Sequence, residues 1–259
     1  FARTALLLGD EQVARLDGAT AVVVGLGGVG GYALEALARA GIGHLILVDF
    51  DVIEASNINR QVLALETTLG QSKVSAARER VLAINPSARV ETHAVFASGE
   101  ALDAFLLPGA AVIDAIDSVP AKVDLLAACL ARGLFVVSAM GAGGKLDPCG
   151  VRVADLSATR GCPLARAVRQ RLRQRGITSG IVCVYSEEPA QHAGPRMGLS
   201  CREKAMQSEL AGEPHGGQEE MPVARERAPL GTISYMPGIF GLMAAGILIK
   251  ELLGVKGKK

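Results

Sequence analysis

The sequence lacks the cysteine pattern of a disulfide-bonded or thiol-rich domain. Its five cysteines are odd in number and irregularly spaced, and none belongs to a Cys-x-x-Cys pair. A disulfide framework needs paired cysteines and an oxidising compartment, so we expect free thiols and a reducing cytoplasm. No cleavable signal is visible at the start of the sequence, where Arg3 follows Phe1-Ala2.

Long hydrophobic runs and a strong net charge are missing as well. The most apolar window, 239–253, carries Lys250 and Glu251 near its end and is shorter than the ~20 apolar residues of a spanning helix. We therefore predict a buried C-terminal helix, with membrane attachment as the less favoured alternative. The net charge of +1 predicts no general attraction to nucleic acid, so such a partner would need a local basic patch.

The sequence is organised around residues 21–73. An apolar run at 21–24 predicts a strand, the pattern at 32–39 predicts a helix, and four glycines between them predict a tight turn: Gly25, Gly27, Gly28 and Gly30. Glycines let a phosphate approach the main-chain N–H groups at a helix N-terminus. A second strand, predicted at 44–48, is followed by Asp49, where an acid can bind a ribose hydroxyl. These features are typical of dinucleotide-binding enzymes in general.

Polar residues beyond the second strand narrow the prediction. Residues 51–61 contain four candidate nucleotide ligands: Asp51, Asn57, Asn59 and Arg60. Lys73 lies in the first turn of a helix predicted at 72–84. The helix dipole disfavours a cation at this end, so Lys73 is better explained if it binds a strongly anionic group. The glycine turn largely neutralises the pyrophosphate of NAD, whereas an added arginine and lysine suit a triphosphate.

Five motifs in order resemble the ubiquitin-activating-enzyme-like adenylating proteins, the ThiF/MoeB/HesA superfamily. They are Gly-x-Gly-Gly-x-Gly, Asp-x-Asp, Asn-x-Asn-Arg-Gln, Gly-x-x-Lys and the Asp-Ala-Ile-Asp of residues 114–117. The resemblance implies an α/β fold with a Rossmann-like, mostly parallel sheet flanked by helices, and it implies adenylation of a carboxylate with ATP and Mg²⁺. Some members hold zinc through two Cys-x-x-Cys pairs, so we expect no zinc here.

The catalytic residues expected from this resemblance are Arg60, Lys73, Asp117 and Arg3. Asp117 and Ser118 follow a predicted buried parallel strand, 110–116, at the end where open α/β sheets bind ligands, so Asp117 is the candidate Mg²⁺ ligand and Ser118 a nucleotide contact. Asp114, inside the strand, is predicted to be a structural acceptor. Arg3 resembles an N-terminal arginine that reaches the ATP of a dimer partner, which implies a homodimer; a solvated terminal arginine is the alternative.

The second half of the chain is predicted to continue the same domain, 1–259. A nucleotide-binding half, 1–140, precedes a substrate-side half, 141–259, in which the sheet gains a mixed or antiparallel extension. Other strands are predicted at 89–95, 134–139, 151–156 and 181–187, and other helices at 4–16, 101–107, 119–132 and 163–175. Segment 186–230 is predicted to be a mobile, functional loop. Cys201 lies in it without a flanking base, which disfavours a nucleophilic role.

The segments 141–148, 154–157 and 181–187 are similar to one branch of the superfamily, the tRNA threonylcarbamoyladenosine dehydratases. This resemblance implies that the carboxylate of threonylcarbamoyladenosine in tRNA is adenylated and then closes a ring, releasing AMP and pyrophosphate. A sulfur-relay partner, a cysteine desulfurase, is also implied. An activator of a ubiquitin-like sulfur carrier is the nearest alternative; an NAD-dependent dehydrogenase and a non-catalytic scaffold are less favoured because they leave the phosphate ligands unexplained.

A basic helix supports the tRNA branch independently. Residues 160–175 contain six arginines and no acid, and Leu164, Val168 and Leu172 form a predicted buried stripe. Like charges three and four residues apart repel one another, so the row suggests neutralisation by a polyanion. The predicted tRNA contacts are Arg160, Arg166, Arg169 and Arg173. A solvated basic face remains the alternative.

Overall fold

The computed structural model describes residues 1–191 and 231–255. Within them the helices are α1 Ala2–Leu8, α2 Asp10–Asp17, α3 Gly30–Ala40, α4 Lys73–Ile84, α5 Val119–Ala131, α6 Pro163–Gln174 and α7 Tyr235–Leu252. The strands are β1 Thr20–Val24, β2 His44–Val48, β3 Arg89–His93, β4 Ala111–Asp114, β5 Val136–Ala139, β6 Val151–Asp155 and β7 Val182–Ser186. Most of the predicted loop 186–230, with Cys201, lies outside the described residues.

The strands form one sheet in the order β3-β2-β1-β4-β5-β7-β6. All neighbouring pairs are parallel except β6 and β7, which are antiparallel. The predicted fold class is therefore confirmed, including the antiparallel extension in the second half. The strand order reverses between β1 and β4, and open α/β sheets bind ligands in the crevice at the carboxyl ends of such strands.

Alternating side chains of the sheet build one core on each face. Ala21 and Val23 of β1 pack with α3, α4 and α7, whereas Val22 and Val24 pack with α5 and α6. Successive side chains of a strand point to opposite faces, so a strand buried on both faces is continuously apolar. The sheet is thus covered by helices on both sides, and its strand ends provide the open surface for a ligand.

The predicted buried C-terminal helix is confirmed as α7. Phe240, Ala244 and Leu248 are fully buried, and a Cβ on Gly241 would lie 2.2 Å from the Val29 carbonyl oxygen, so α7 packs closely on the start of α3. By length and composition alone, α7 is the one helix of the described residues that could cross a membrane. Its packing against α3 and the sheet is that of a core helix.

Two predicted helices differ from the structure. The helix predicted at 4–16 is wrong as a single element, because Gly9 has φ +83° and separates α1 from α2. The helix predicted at 101–107 is a 3-10 helix, Gly99–Ala104, too tightly wound for a long run. The strands predicted at 89–95 and 110–116 end earlier, at His93 and Asp114, where the chain leaves the sheet for the pocket.

Candidate active site

A pocket of about 580 Å³ lies at the carboxyl ends of β1, β2, β4 and β5. It occupies the crevice that the strand order predicts for a ligand. Most of the predicted nucleotide-binding residues line it: Gly25, Gly27, Gly28, Asp49, Asp51, Asn57, Arg60, Lys73 and Asp117. Residues distant in the sequence therefore converge on one site because parallel strands end at the same edge of the sheet.

The glycine turn connects β1 to α3 with no space for side chains at two positions. Gly25 has φ +88°, and a Cβ there would lie 2.8 Å from the Ala115 carbonyl oxygen. A Cβ on Gly30 would lie 1.7 Å from the Gly25 carbonyl oxygen. Gly30 does not line the pocket and allows α3 to begin close beneath the turn, so its N-terminus faces the site as an anion-binding helix end. Gly27 and Gly28 are half-buried and line the pocket.

Asp49 fixes the glycine turn from the end of β2. It is buried, and its Oδ2 accepts a hydrogen bond from the Leu26 N–H at 2.6 Å while its Oδ1 accepts from the Asp51 N–H at 2.9 Å. A carboxylate has about four acceptor positions, so Asp49 keeps capacity for a ribose hydroxyl. The residue predicted to bind the ribose therefore also supports the glycine turn.

Two cations stand beside the glycine turn. The Lys73 Nζ lies 2.7 Å from Asp51 Oδ2 at the N-terminus of α4, and its side chain is buried. Arg60 Nη1 donates to the Ser56 carbonyl oxygen at 2.7 Å and to Asn59 Oδ1 at 2.9 Å. These contacts hold both cations in the pocket, where an anionic ligand would compete with Asp51 for Lys73.

The two predicted asparagines have different positions. Asn57 lines the pocket and is fixed by the Glu54 N–H, which donates to its Oδ1 at 3.3 Å. Asn59 does not line the pocket; its Nδ2 donates to the Thr232 carbonyl oxygen at 3.0 Å. Thr232 itself lines the pocket, in the segment that leads into α7. Asn59 therefore connects this segment to the chain around Arg60. The structure thus shows a supporting role for Asn59, and its predicted contact with the nucleotide stays a prediction.

Asp117 is the pocket residue best suited to a metal–phosphate complex. It is exposed at the pocket and has no hydrogen-bond or ion-pair partner within the described ranges 1–191 and 231–255. Ser118 is the N-cap residue of α5 and does not line the pocket. No cluster of three or more potential metal ligands occurs in the described residues. Mg²⁺ usually combines one or two carboxylates with substrate phosphates, so one free carboxylate fits it.

Several residues that line the pocket were not predicted from the sequence. Gln61 is only 7% exposed, lines the pocket, and its Oε1 has no partner in the described part of the chain, so it is available to a ligand. Phe50 and Phe96 also line the pocket with ring centroids 5.3 Å apart, beside Val95. They give one end an apolar wall suited to a nucleobase. The sequence contains a signal for two of these pocket residues, since Gln61 ends the Asn-x-Asn-Arg-Gln motif and Phe50 directly follows Asp49.

The opposite wall is formed by the glycine-rich loop after β5. Residues 140–143 line the pocket. Glu188 fixes the next part of this loop, because its carboxylate accepts from the Leu146 N–H at 3.0 Å and the Asp147 N–H at 2.9 Å. These two backbone donors, Asp147 first, lower the pKa of the Glu188 carboxyl. Buried Lys145 donates to the Glu188 carbonyl oxygen. Leu164, in the first turn of α6, completes this wall, so the basic helix begins at the pocket.

The arginines of α6 divide into exposed and internally bonded groups. Arg160, Arg166 and Arg173 are exposed. Arg169 donates through Nη1 to the Thr159 carbonyl oxygen at 2.9 Å and to Thr159 Oγ1 at 2.7 Å. Arg169 therefore stabilises the segment that leads into α6, and its contact with tRNA stays a prediction. Val168 and Leu172 of the predicted stripe are buried, whereas Leu164 is half-buried and lines the pocket.

Arg3 and the described cysteines lie outside the pocket. Arg3 is exposed on α1 and does not line the pocket of its own chain. Cys129, Cys162 and Cys183 are buried and Cys149 is exposed. Burial raises the pKa of Cys129 to about 12, which keeps that thiol protonated. None of these four thiols lines the pocket, so the described site offers no cysteine nucleophile.

Comparisons with known proteins agree with this geometry. The tRNA threonylcarbamoyladenosine dehydratase of Bacillus subtilis is 35% identical over 98% of this chain and 94% of its own length. The crystal structure of E. coli tRNA N6-threonylcarbamoyladenosine dehydratase in complex with ATP matches with a TM-score of 0.80 and 31% identity, over 98% of this chain and 93% of that one. The molybdopterin-synthase adenylyltransferase of E. coli is 37% identical over 50% of this chain and 51% of its own. The model of the ThiF family matches residues 1–259, and the chain belongs to this family.

Proposed function

We propose that this protein is an ATP-dependent tRNA threonylcarbamoyladenosine dehydratase. The observation that carries the proposal is a pocket combining the glycine turn, Arg60, Lys73 and a free Asp117 carboxylate, with the basic helix α6 beginning at its wall. The near full-length similarity to dehydratases supports the same substrate, whereas the similarity to the molybdopterin-synthase adenylyltransferase covers half of each chain. An NAD-dependent dehydrogenase would leave the two cations and Asp117 without a role.

The pocket has separate places for each part of ATP. Phe50 and Phe96 offer apolar surface to adenine, and Asp49 accepts from the ribose. The phosphates lie over Gly27 and Gly28 at the N-terminus of α3, where main-chain N–H groups and the helix dipole favour negative charge. When ATP binds, Lys73 gives up its contact with Asp51 and binds a phosphate instead. Arg60 approaches the phosphates from the side opposite Lys73.

In the first step the substrate carboxylate attacks the α-phosphorus of ATP. A new P–O bond forms, the bond to the leaving pyrophosphate breaks, and an acyl-adenylate results. Lys73 and Arg60 stabilise the charge that develops on the phosphates, which is the main means of lowering a phosphoryl-transfer barrier. Bound at Asp117, Mg²⁺ would neutralise phosphate charge at the same place.

In the second step a nucleophile within the same tRNA modification attacks the activated carbonyl. The new bond closes a ring, the carbonyl–oxygen bond to AMP breaks, and AMP leaves. The protein does not need its own nucleophile for this step, consistent with the absence of thiols from the described pocket. Its role is to hold the acyl group against the wall at residues 140–143 and to exclude water.

A direct assay tests the substrate. Threonylcarbamoyladenosine-containing tRNA should give pyrophosphate and AMP in equal amounts with ring closure, whereas unmodified tRNA should give neither. Product formation is checked by mass spectrometry of the digested tRNA. ATP–pyrophosphate exchange with a ubiquitin-like sulfur carrier, and none with the modified tRNA, would favour the carrier-protein alternative.

The exposed arginines of α6 should bind tRNA phosphates. Each phosphate contact releases counterions, so the slope of log affinity against log salt should flatten by roughly 0.7 to 0.9 per contact removed. We expect Arg166→Gln with Arg173→Gln to weaken tRNA binding and flatten this slope while ATP affinity stays unchanged. Filter binding across a salt series measures the effect.

Arg169→Gln is the matched control on the same helix. It removes one charge but breaks an internal contact with Thr159, so it should lower the thermal midpoint and leave the salt slope near that of the wild type. An unchanged slope in the Arg166/Arg173 variant would favour a solvated basic face. A slope that changes in Arg169→Gln instead would place the tRNA on a different part of α6.

A homodimer that shares its active sites is also part of the proposal. Arg3 lies outside its own pocket, as required if it serves the partner chain. After subunit exchange between Arg3→Ala and Lys73→Met chains, half of the dimers are mixed and each keeps one complete site, so about one quarter of the wild-type sites should return. Steady-state AMP release measures the recovery, with exchange verified by native mass spectrometry. No recovery after verified exchange would exclude the shared site.

The proposed location and protein partner of this chain are those predicted from the sequence. We place the protein in the cytoplasm and include a cysteine desulfurase among its partners, as the family resemblance implies. The expected absence of zinc likewise stays a prediction; metal analysis of the purified protein tests it.

A further inference from the structure

A fully buried ion pair lies directly below the pocket. Lys122 of α5 and Asp114 of β4 both have 0% side-chain exposure, and Lys122 Nζ lies 2.7 Å from Asp114 Oδ2. The pair is surrounded by the apolar core between the sheet and α5. Removing two charges from water has a large desolvation cost, and an apolar pair often packs at least as stably. Stability alone therefore does not explain why charged residues occupy these positions.

The remaining hydrogen bonds of the pair converge on one peptide segment. Lys122 Nζ donates to the Ile116 carbonyl oxygen at 2.8 Å, and the Ile116 N–H donates to Asp114 Oδ1 at 3.1 Å. Ser138 of β5 donates to Asp114 Oδ2 at 2.6 Å and fixes that carboxylate from the neighbouring strand. Both main-chain polar groups of Ile116 are thus bound to the ion pair. The next residue in the chain is Asp117.

The same segment contacts the phosphate-binding turn. A Cβ on Gly25 would lie 2.8 Å from the Ala115 carbonyl oxygen and 3.3 Å from the Ile116 nitrogen, so Ala115 and Ile116 pack directly against that turn. Asp117 follows the end of β4 with no partner of its own among the residues described. The position of its carboxylate therefore depends on the backbone that precedes it, and Lys122 binds this backbone at the Ile116 carbonyl oxygen.

We propose that Lys122 is a positioning residue that fixes the Asp117 carboxylate toward the nucleotide phosphates through the Ile116 carbonyl. The inference rests on the proposed function, in which Asp117 binds Mg²⁺ together with ATP. Lys122 does not line the pocket, so it acts through Ile116 and not on the ligand. Loss of Lys122 should therefore weaken the contribution of Mg²⁺ to ATP binding and leave metal-free ATP binding intact.

The test uses the double variant Lys122→Met/Asp114→Asn. Methionine fills the volume of the lysine stem, and asparagine can still accept from the Ile116 N–H, so no uncompensated charge stays buried. The variant loses the ion pair together with the contact from Lys122 Nζ to the Ile116 carbonyl oxygen. Ser138→Ala is the matched control, because it removes the other donor to Asp114 without touching Ile116. Lys122→Leu/Asp114→Asn replaces the first variant if that protein does not fold.

Calorimetric titration of ATP with Mg²⁺ and with EDTA provides a readout that does not depend on turnover. Mutation of groups that orient metal ligands typically costs 10- to 100-fold in metal affinity, so the gain in ATP affinity from Mg²⁺ should fall by roughly tenfold or more. Affinity in EDTA should match the wild type, and Ser138→Ala should keep most of the gain. Amide hydrogen exchange at residues 115–117 should be faster in the double variant.

Asp117→Ala distinguishes the possible failures. If Asp117→Ala loses the Mg²⁺-dependent gain but the folded double variant keeps it, Asp117 binds the metal and the positioning role of Lys122 is overturned. If Asp117→Ala keeps the gain, the metal assignment in the proposed function fails, and the inference about Lys122 fails with it. Loss of affinity in EDTA by the double variant would show general damage to the pocket and would also overturn the specific role.

Discussion

Lys73→Met is expected to reduce pyrophosphate release by roughly 10²- to 10³-fold, as for the loss of one preorganised charge-stabilising group. The buried Lys73 ammonium lies at the pocket, where negative charge on the phosphates increases as pyrophosphate leaves. Methionine keeps the buried stem of the side chain and removes only the charge. Asp51, which would lose this partner, is already about half exposed to solvent, so the cost in stability should be small.

Lys250→Met is the matched control for this prediction. Lys250 is exposed in the last turn of α7 and does not line the pocket. Pre-steady-state pyrophosphate release and thermal unfolding should be measured for both variants. Release at the wild-type rate by folded Lys73→Met would remove Lys73 from the catalytic group. Asp117→Ala should show a comparable loss that added Mg²⁺ does not restore.

The elements of the first part of the sheet could be predicted from the sequence because each local signal agrees with the fold. The apolar run of β1, the glycine turn and the start of α3 act over a few residues, so spacing and backbone sterics suffice to place them. Lys73 and Asp117 were recognisable because each occupies an element end with a clear electrostatic or topological meaning. They line one pocket as expected.

Other features depend on tertiary contacts that spacing does not encode. Arg169 has the same helical spacing as its exposed neighbours, yet its side chain turns toward the protein and donates a hydrogen bond to Thr159. Lys122 is indistinguishable in sequence from a solvated helix lysine, because its partners Asp114 and Ile116 come from another element. Asn59 belongs to a recognisable motif, but its bond to Thr232 depends on a segment more than 170 residues away.

The break at Gly9 could have been predicted from the sequence. Glycine followed by Asp10 is the signature of one helix ending and another beginning. The structure shows positive φ at Gly9, a conformation that does not continue a helix.

Gly30→Ala and Gly27→Ala are expected to separate folding from nucleotide binding within one motif. An added Cβ on Gly30 would lie 1.7 Å from the Gly25 carbonyl oxygen, so the start of α3 must move away from the turn. Overpacking of this kind costs about 1 to 3 kcal/mol, and more where the obstacle is backbone, so Gly30→Ala should lose much of its stability. Urea unfolding should show this loss in the absence of any nucleotide.

Gly27→Ala should give the opposite pattern. The nearest atom to its added Cβ is Gln61 Nε2 at 3.8 Å, an ordinary contact, so stability should stay near that of the wild type. The new methyl group faces the pocket where the backbone must approach the phosphates, so ATP affinity should fall at least tenfold, or about 1.4 kcal/mol. Wild-type ATP affinity in Gly27→Ala would show that the phosphates do not lie over this part of the turn. Wild-type stability in Gly30→Ala would contradict the close approach of α3, so each glycine has its own decisive measurement.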